Sequence, residues 1–212
     1  MADNYIEKRY EEVFGSRKTV KKVGHSLDLL LTQNRSCRGY DHSVVVRDEV
    51  LRRIVSVNTK IPSARNQQAL RFRLVTDADE VSVVNNNIKL GGALPELHLP
   101  FPGTEPPAFI VVTSTKDPDR NVYIDLGISL QSMLLKAVEI GLNGVIICAF
   151  DGKAIADALH LNSAPLAVLA IGKSAERFRL VEMPEDGSVK YYRDEDGVHC
   201  VPKRSLEEIL LH

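Results

Sequence analysis

The chain has no tryptophan, only three methionines and three cysteines, almost no net charge, and no long apolar run. Each shortage removes a class of function. Cys37, Cys148 and Cys200 are an odd number without metal-ligand spacing, which fits reduced thiols better than a disulfide framework. The 27 basic and 28 acidic residues leave a net charge of -1, so no overall field draws the chain to nucleic acid or to an anionic membrane. No uninterrupted apolar stretch approaches the roughly 20 residues that span a bilayer. Met1 to Glu12 is charged and polar and has no apolar signal core, so a cytoplasmic location is expected. The six histidines are scattered, and none forms an H-E-x-x-H pair. His199 and Cys200 are strand neighbours that point to opposite faces, so no metal site is expected. No G-x-G-x-x-G fingerprint, G-x-S-x-G elbow or Ser-His-Asp or Cys-His arrangement appears, which sets aside a Rossmann-type dinucleotide site and the common hydrolase chemistries.

What remains is a balanced chain of 212 residues, 44% hydrophobic, long enough for one well-cored domain or for a subunit whose core is shared across an interface. It has no internal repeat, low-complexity segment or clear linker. We expect a single domain over 1–212, with 1–26 as an N-terminal helical extension. Helix-forming composition covers about Asn4 to Val13 and Lys22 to Gln33. Val46, Val50, Ile54 and Val57 recur at helical spacing and predict a helix over about Arg47 to Thr59. Asp77 with Glu80 resembles a capping box for a short helix toward Ile88, and a long helical pattern runs from about Asn121 to Leu142. A shorter helix is expected over Asp151 to Leu161. Leu70 to Val75 alternates as a strand, while Ala108 to Thr113, Val145 to Ala149 and Leu166 to Ile171 read as buried strands. Near the C-terminus, Asp196-Gly197 signals a hairpin between Val189–Arg193 and Val198–Val201, and Ser205 with Glu208 caps a last helix. Strands alternating with helices indicate an α/β or α+β architecture.

Four stretches carry chemistry. In Ile61 to Gln68, Pro62 ends the preceding helical pattern, and Ser63, Asn66 and Gln68 supply groups that both donate and accept hydrogen bonds. Such a loop can read a flat heterocycle, although taken alone it reads first as an ordinary helix-to-strand connection whose amides cap backbone groups. Arg35 and Arg38 offer planar forks of donors suited to phosphate or carbonyl oxygens, or form a solvated basic turn. Gly91 to Pro107 holds three glycines and five prolines, too long for a simple turn and too apolar for a disordered linker. It is either a packed functional loop or a structural excursion. Lys203 and Arg204 stand just ahead of the final helix, an anion position by its free amides and dipole, or solvated turn residues.

Arg35-Ser36-Cys37-Arg38-Gly39-Tyr40 is similar to the early R-S-x-R-x-(F/Y) element of the nitroreductase family of FMN-dependent oxidoreductases. Pro62-Ser63-Ala64-Arg65-Asn66-Gln67-Gln68 is similar to its P-S-x-x-N-x-Q loop. The long helix from Asp125 to Gly141, the Gly141-Leu142-Asn143-Gly144 turn and the strand ending at Gly172 follow in the family's order. The resemblance covers about Asn34 to Arg204 and rests on that order and spacing. It implies an α+β, nitroreductase-like fold, with a central mixed, mainly antiparallel sheet surrounded by helices, in an intertwined homodimer holding FMN between its chains. It further implies that Arg35 and Ser36 meet phosphate or ribityl oxygens, that Arg38 lies near the N1 and O2 edge of the flavin, and that Lys203 and Arg204 complete the phosphate site. Pro62, Ser63, Asn66 and Gln68 would come from the other subunit, and the backbone at Gly144 and Val145 would face the flavin near N5. One departure is Asn34, where the family often has a second basic residue.

The implied activity is transfer of hydride or electrons from NADH or NADPH, through the flavin, to a nitroaromatic, quinone or similar small conjugated acceptor in a ping-pong cycle. The cofactor carries the chemistry, so no catalytic acid or nucleophile is required of the protein. The alternative is a flavin-binding protein without turnover, acting as a store, sensor or scaffold.

Overall fold

The computed structural model describes residues 26–92, 94–184 and 187–211. The expected helix at Asn4 to Val13 and the start of the next lie outside the described residues. What is described of the second is α1, Leu27–Gln33, whose N-cap Ser26 accepts the Leu29 N–H. Next comes α2, Asp48–Val55, which buries Leu51 and Ile54 and gives way to a 3-10 turn over Ser56–Thr59. The sequence predicts one continuous helix here. It tightens because Ser56, Asn58 and Thr59 turn their side chains back onto the carbonyls of Arg53, Val55 and Ser56, competing with the α-helical ladder.

The main sheet has four strands: β1, Leu70–Val75; β2, Ala108–Ser114; β3, Asn143–Ile147; and β4, Ala167–Gly172. Their spatial order is β1-β2-β4-β3, and every neighbouring pair is antiparallel. Every residue of β2 and β4 is buried, because helices cover both faces. On one face Ile110, Val112, Leu169 and Ile171 meet Leu126, Leu130, Met133 and Leu134 of α4, Arg120–Glu139, together with Leu51 and Ile54 of α2. On the other, Phe109, Val111, Val168 and Ala170 meet Val84 of α3, Ala78–Asn86, and Ile155 of α5, Gly152–Ala158. Each such side chain contributes about 1.5–3 kcal/mol by leaving water, so the two-sided sheet is the stable centre onto which the loops are hung.

A second sheet comprises β5, Phe178–Glu182; β6, Tyr192–Arg193; and β7, His199–Lys203, in the order β5-β7-β6. The expected hairpin is β6–β7, closed by Asp194, whose backbone N–H donates to Val198 O and whose side chain accepts from Val198 N. Its first strand is shorter than the sequence suggests. Between named strands, parallel pairing is confined to β5 and β7, and the four strands of the main sheet pair antiparallel with one another. After β7, Ser205 and Glu208 form both arms of the capping box that opens α6, Leu206–Ile209. Asp77 caps α3 with one arm only, because the Glu80 carboxylate turns to Arg73. Among the described residues no helix is long and apolar enough to cross a membrane.

Candidate functional site

The basic segment is pinned to the end of the main sheet. Ser36 forms a parallel bridge with Gly144, and Cys37 N donates to Gly144 O at 3.0 Å. Gly144 is required by its packing in the sheet, since a Cβ there would lie 2.2 Å from Ala170 O of β4 and 2.9 Å from Leu134 Cδ2 of α4. Beside it, Asn143 Nδ2 donates to Gln33 O at 3.0 Å, fixing the end of α1. Tyr40 anchors the far end: its N–H donates to Thr104 O and its hydroxyl to Cys37 O. A Cβ at Gly172 would meet the Tyr40 ring at 2.5 Å. Cys37 is fully buried, and that burial pushes its thiol up to about 12 despite the adjacent arginine. It is a packing residue and not a nucleophile.

Arg35, Ser36, Arg38 and Lys203 converge on one cavity of about 390 Å³. Its lining includes those three cations and no carboxylate, an arrangement suited to an anion. Arg35 reaches back to Leu31 O at 2.7 Å, while its Nε is buried without a partner, and burial lowers the pKa of its guanidinium. Arg38 donates from its guanidinium to Ser36 O at 3.0 Å and lies 5.0 Å from the centre of the Tyr191 ring. His199, Val201 and Lys203 share the cavity face of β7 by strand alternation, so Arg204 turns elsewhere. Arg204 pairs with Glu208 at 3.4 Å beside a separate hollow. Lys203 borders both hollows, whereas Arg204 borders only the second.

The Pro62 loop lies on a different stretch of α4. Pro62, Ser63 and Gln68 line a larger cavity of about 800 Å³ together with Asp125 and Ser129, and it shares no lining residue with the basic cavity. The buried Asp125 carboxylate accepts the Ala64 N–H at 2.9 Å, Ser63 Oγ accepts the Gln68 N–H at 3.2 Å, and Gln68 Nε2 donates to Asn66 Oδ1 at 3.1 Å. Arg65, Asn66 and Gln68 all take left-handed backbone conformations, with φ of 52°, 54° and 47°. Three such non-glycine residues in one short loop are costly, and the surrounding structure must offset that strain. Asn66 is exposed and lines neither cavity.

The loop and the basic segment therefore do not meet within one chain. Val145 is buried in the core, and its neighbour Ile146 lines the basic cavity instead. Gly144 presents its carbonyl to Cys37. His199, Tyr191, Phe178 and Gln131 also line the cavity and were not anticipated as site residues. Stepping back by twos from Lys203 reaches His199, and this was the available signal. Among the described residues no cluster of three or more histidine, cysteine, aspartate or glutamate side chains could hold a metal ion.

The donor set fits a phosphorylated flavin: cations without a carboxylate, two buried nitrogens without partners on Arg35 and His199, and aromatic rings beside them. Comparison with known proteins gives the fold its relatives. The structure resembles that of a point mutant of an FMN- and NADPH-dependent nitroreductase from Sphigopyxis sp. strain HMH, with a TM-score of 0.65 and 18% identity, covering 89% of this chain and 99% of that one. It resembles an FMN-dependent nitroreductase from Clostridium difficile R20291, with a TM-score of 0.57 and 24% identity, covering 70% and 87%. It also resembles an enone reductase of gut-bacterial fatty acid saturation, CLA-ER, with a TM-score of 0.59 and 16% identity, covering 73% and 91%. At these identities the likeness is one of fold. A search of curated proteins gives no match. The model of the nitroreductase family matches residues 31–173, from the end of α1 through β4, and the chain belongs to that family.

Proposed function

We propose that the chain is an FMN-dependent oxidoreductase, taking reducing equivalents from NADH or NADPH and passing them to a nitroaromatic, quinone or other small conjugated acceptor. The observation that carries this reading is the cavity in which Arg35, Arg38 and Lys203 converge without a carboxylate. Arg35, Ser36 and Lys203 would hold the phosphate and ribityl oxygens, and Arg38 the electron-rich edge of the ring system. Bound FMN supplies hydride and electron transfer, which the side chains of this site do not. The protein's part is to hold positive charge where the reduced ring gathers negative charge, and to keep the ring accessible on one face. Ile146, 38% exposed at the cavity wall, offers an apolar surface for such a ring. Arg204 has no contact in this assignment.

The working form we propose is a homodimer, in which Pro62, Ser63, Asn66 and Gln68 of one subunit face the basic cavity of the other. Two observations support it. The loop holds a strained, preorganised shape away from the basic cavity of its own chain. Apolar side chains on α1 and α4, Leu27, Leu29, Leu31, Tyr123 and Ile124, are left exposed. The enone reductase among the similar folds suits a reading in which the fold serves several conjugated acceptors.

The test is the purified protein itself. Its absorption spectrum should carry flavin bands or acquire them on addition of FMN, and NADH or NADPH should bleach them anaerobically, with an acceptor restoring them. Failure to take up FMN would end the proposal. Uptake without bleaching would leave a flavin-binding protein that does not turn over.

A further inference from the structure

His199 lines the cavity, and the cofactor assignment gives its imidazole no role. It is 2% exposed, and its Nδ1 is buried with no hydrogen-bond partner. A buried polar nitrogen without a partner calls for an explanation, because nearly all such groups in folded proteins are satisfied. The ring is not free to turn away. It lies between Phe178, 5.6 Å from centre to centre, and Tyr191, at 4.9 Å, and the Arg38 guanidinium sits 5.0 Å from the centre of that same tyrosine ring. The backbone is equally fixed, with His199 N donating to Arg177 O at 2.8 Å and the residue paired in register with both Phe178 and Arg193. A second unpartnered buried nitrogen, Arg35 Nε, belongs to a residue lining the same cavity, and no carboxylate lines it.

We propose that His199 is an anion ligand of this site, its Nδ1–H donating, with Arg35 Nε, to the phosphate of the bound cofactor. The assignment rests on the FMN reading for the identity of the phosphate, but not for the existence of an anion site. It also answers a deficit in the sequence. Asn34 stands where the family often carries a second basic residue, and Arg204 is turned to Glu208, so Arg35 and Lys203 would otherwise hold the phosphate with little help. The groups around the imidazole are Arg38, Arg193 and Glu176. Burial and the positive charge of Arg38 lower its pKa, so it acts as a neutral donor in a field already positive.

Two substitutions separate the donor from the stacking. His199→Phe keeps an aromatic ring between Phe178 and Tyr191 and removes the nitrogen; His199→Asn restores an amide donor near the position of Nδ1. Flavin is removed by dialysis, and FMN and riboflavin are titrated back by quenching of flavin fluorescence. His199→Phe should raise the Kd for FMN about tenfold while leaving that for riboflavin within about twofold, and His199→Asn should recover part of the loss. Equal weakening of both flavins, or an unchanged FMN affinity, would overturn the assignment. Histidine imidazole 15N resonances of the wild-type protein, with that of His199 identified by its loss in either variant, supply a measurement independent of flavin. Inorganic phosphate should move the His199 Nδ1 resonance, and its failure to do so overturns the anion site even where a variant does not fold. A wild type that binds neither flavin yet shows the phosphate shift would defeat the FMN reading and leave the anion site standing.

Discussion

Glu176 accepts the Arg38 backbone N–H at 2.6 Å with one carboxylate oxygen and pairs with Arg193 through the other. Its side chain is 6% exposed, and Arg193 in turn lies 5.7 Å from the centre of the Phe101 ring. One buried carboxylate therefore ties the basic segment to the β6–β7 hairpin, and through it to the Gly/Pro-rich loop. Phe101 and Thr104 of that loop are held by these contacts and by the Tyr40–Thr104 hydrogen bond, which pack this part of the loop against the basic segment and the hairpin.

Removing that hub strips the largely buried Arg193 guanidinium of its counter-charge and the Arg38 amide of its acceptor. Glu176→Ala should cost about 3–5 kcal/mol, the usual penalty for breaking a buried ion pair from one side. Glu176→Gln keeps an acceptor for the Arg38 amide and should cost less. Urea unfolding of both variants checks the ordering, and equal midpoints would show that the acceptor kept for the Arg38 amide contributes nothing and that the loss lies in the pair with Arg193.

Gly144→Ala should destabilise by on the order of 3 kcal/mol, because the new methyl group meets the Ala170 carbonyl, which is sheet backbone and cannot turn aside. Gly127→Ala is the contrasting case, in the middle of α4 with nothing near its Cβ position. It should gain about 0.5–1 kcal/mol from helix propensity alone. Thermal unfolding of the two variants should move in opposite directions.

Thiol chemistry should be confined to one position. Cys37 and Cys200 are buried, Cys148 is exposed, and Cys37 is held protonated up to about 12. Iodoacetamide at pH 8 should modify Cys148 alone in the native protein and all three in denaturant, read by intact mass. Because the folded-state value of Cys37 is raised, its neutral form favours folding below the ordinary value of 9.0, and that contribution is lost as pH climbs from 9 toward 12.

His199 gives the acid counterpart. Its folded-state pKa is lowered by burial first and by Arg38 second, so the unfolded chain takes up a proton below the ordinary value of 6.5 before the native state does. Its contribution to stability is present above that value and falls as pH drops below it. His199→Phe should flatten the slope of unfolding free energy against pH between about 6.5 and 5, where the ordinary histidine group titrates. An unchanged slope would place the titration elsewhere.

The frame was legible in the sequence because its signals are local. Leu70 to Val75 alternates, Ala108 to Thr113 is continuously apolar, and both appear as strands within a residue of the expected bounds. Ser205 and Glu208 announced their capping box. β5 escaped notice because Phe178–Glu182 is largely exposed, so neither of its faces carries an uninterrupted apolar signal. The site was legible only in parts. Arg35, Ser36, Arg38 and Lys203 do converge on one cavity, but Arg204, one residue past the end of β7, pairs with Glu208 instead. That His199 belongs with them depends on a stack with Tyr191 and Phe178, three residues brought together by strand pairing and a turn that no local pattern encodes.

Arg38→Ala should lower FMN affinity by one to two decades, the value of a charge-assisted contact of about 1.5–3 kcal/mol. Asp41→Ala, three residues away, should do little, since that carboxylate is exposed and spent on Ser43. Equal effects would remove Arg38 from the site.

The separation of the Pro62 loop from the basic cavity allows a test of the dimer that needs no structure of it. If each flavin site takes Arg38 and Lys203 from one subunit and Ser63, Asn66 and Gln68 from the other, two different defects can be placed in two chains. A chain carrying Arg38→Ala and Lys203→Ala is co-expressed with one carrying Ser63→Ala and Asn66→Ala, each with its own purification tag. In the mixed dimer one site joins both defective halves and the other joins both intact halves, so about one flavin per dimer should return while either homodimer binds weakly. Sites built within one chain would give the opposite result, because every chain would then carry a defect and mixing would restore nothing. Flavin stoichiometry of the doubly tagged species decides between them, and a monomer that retains FMN would remove the partner loop from the site altogether.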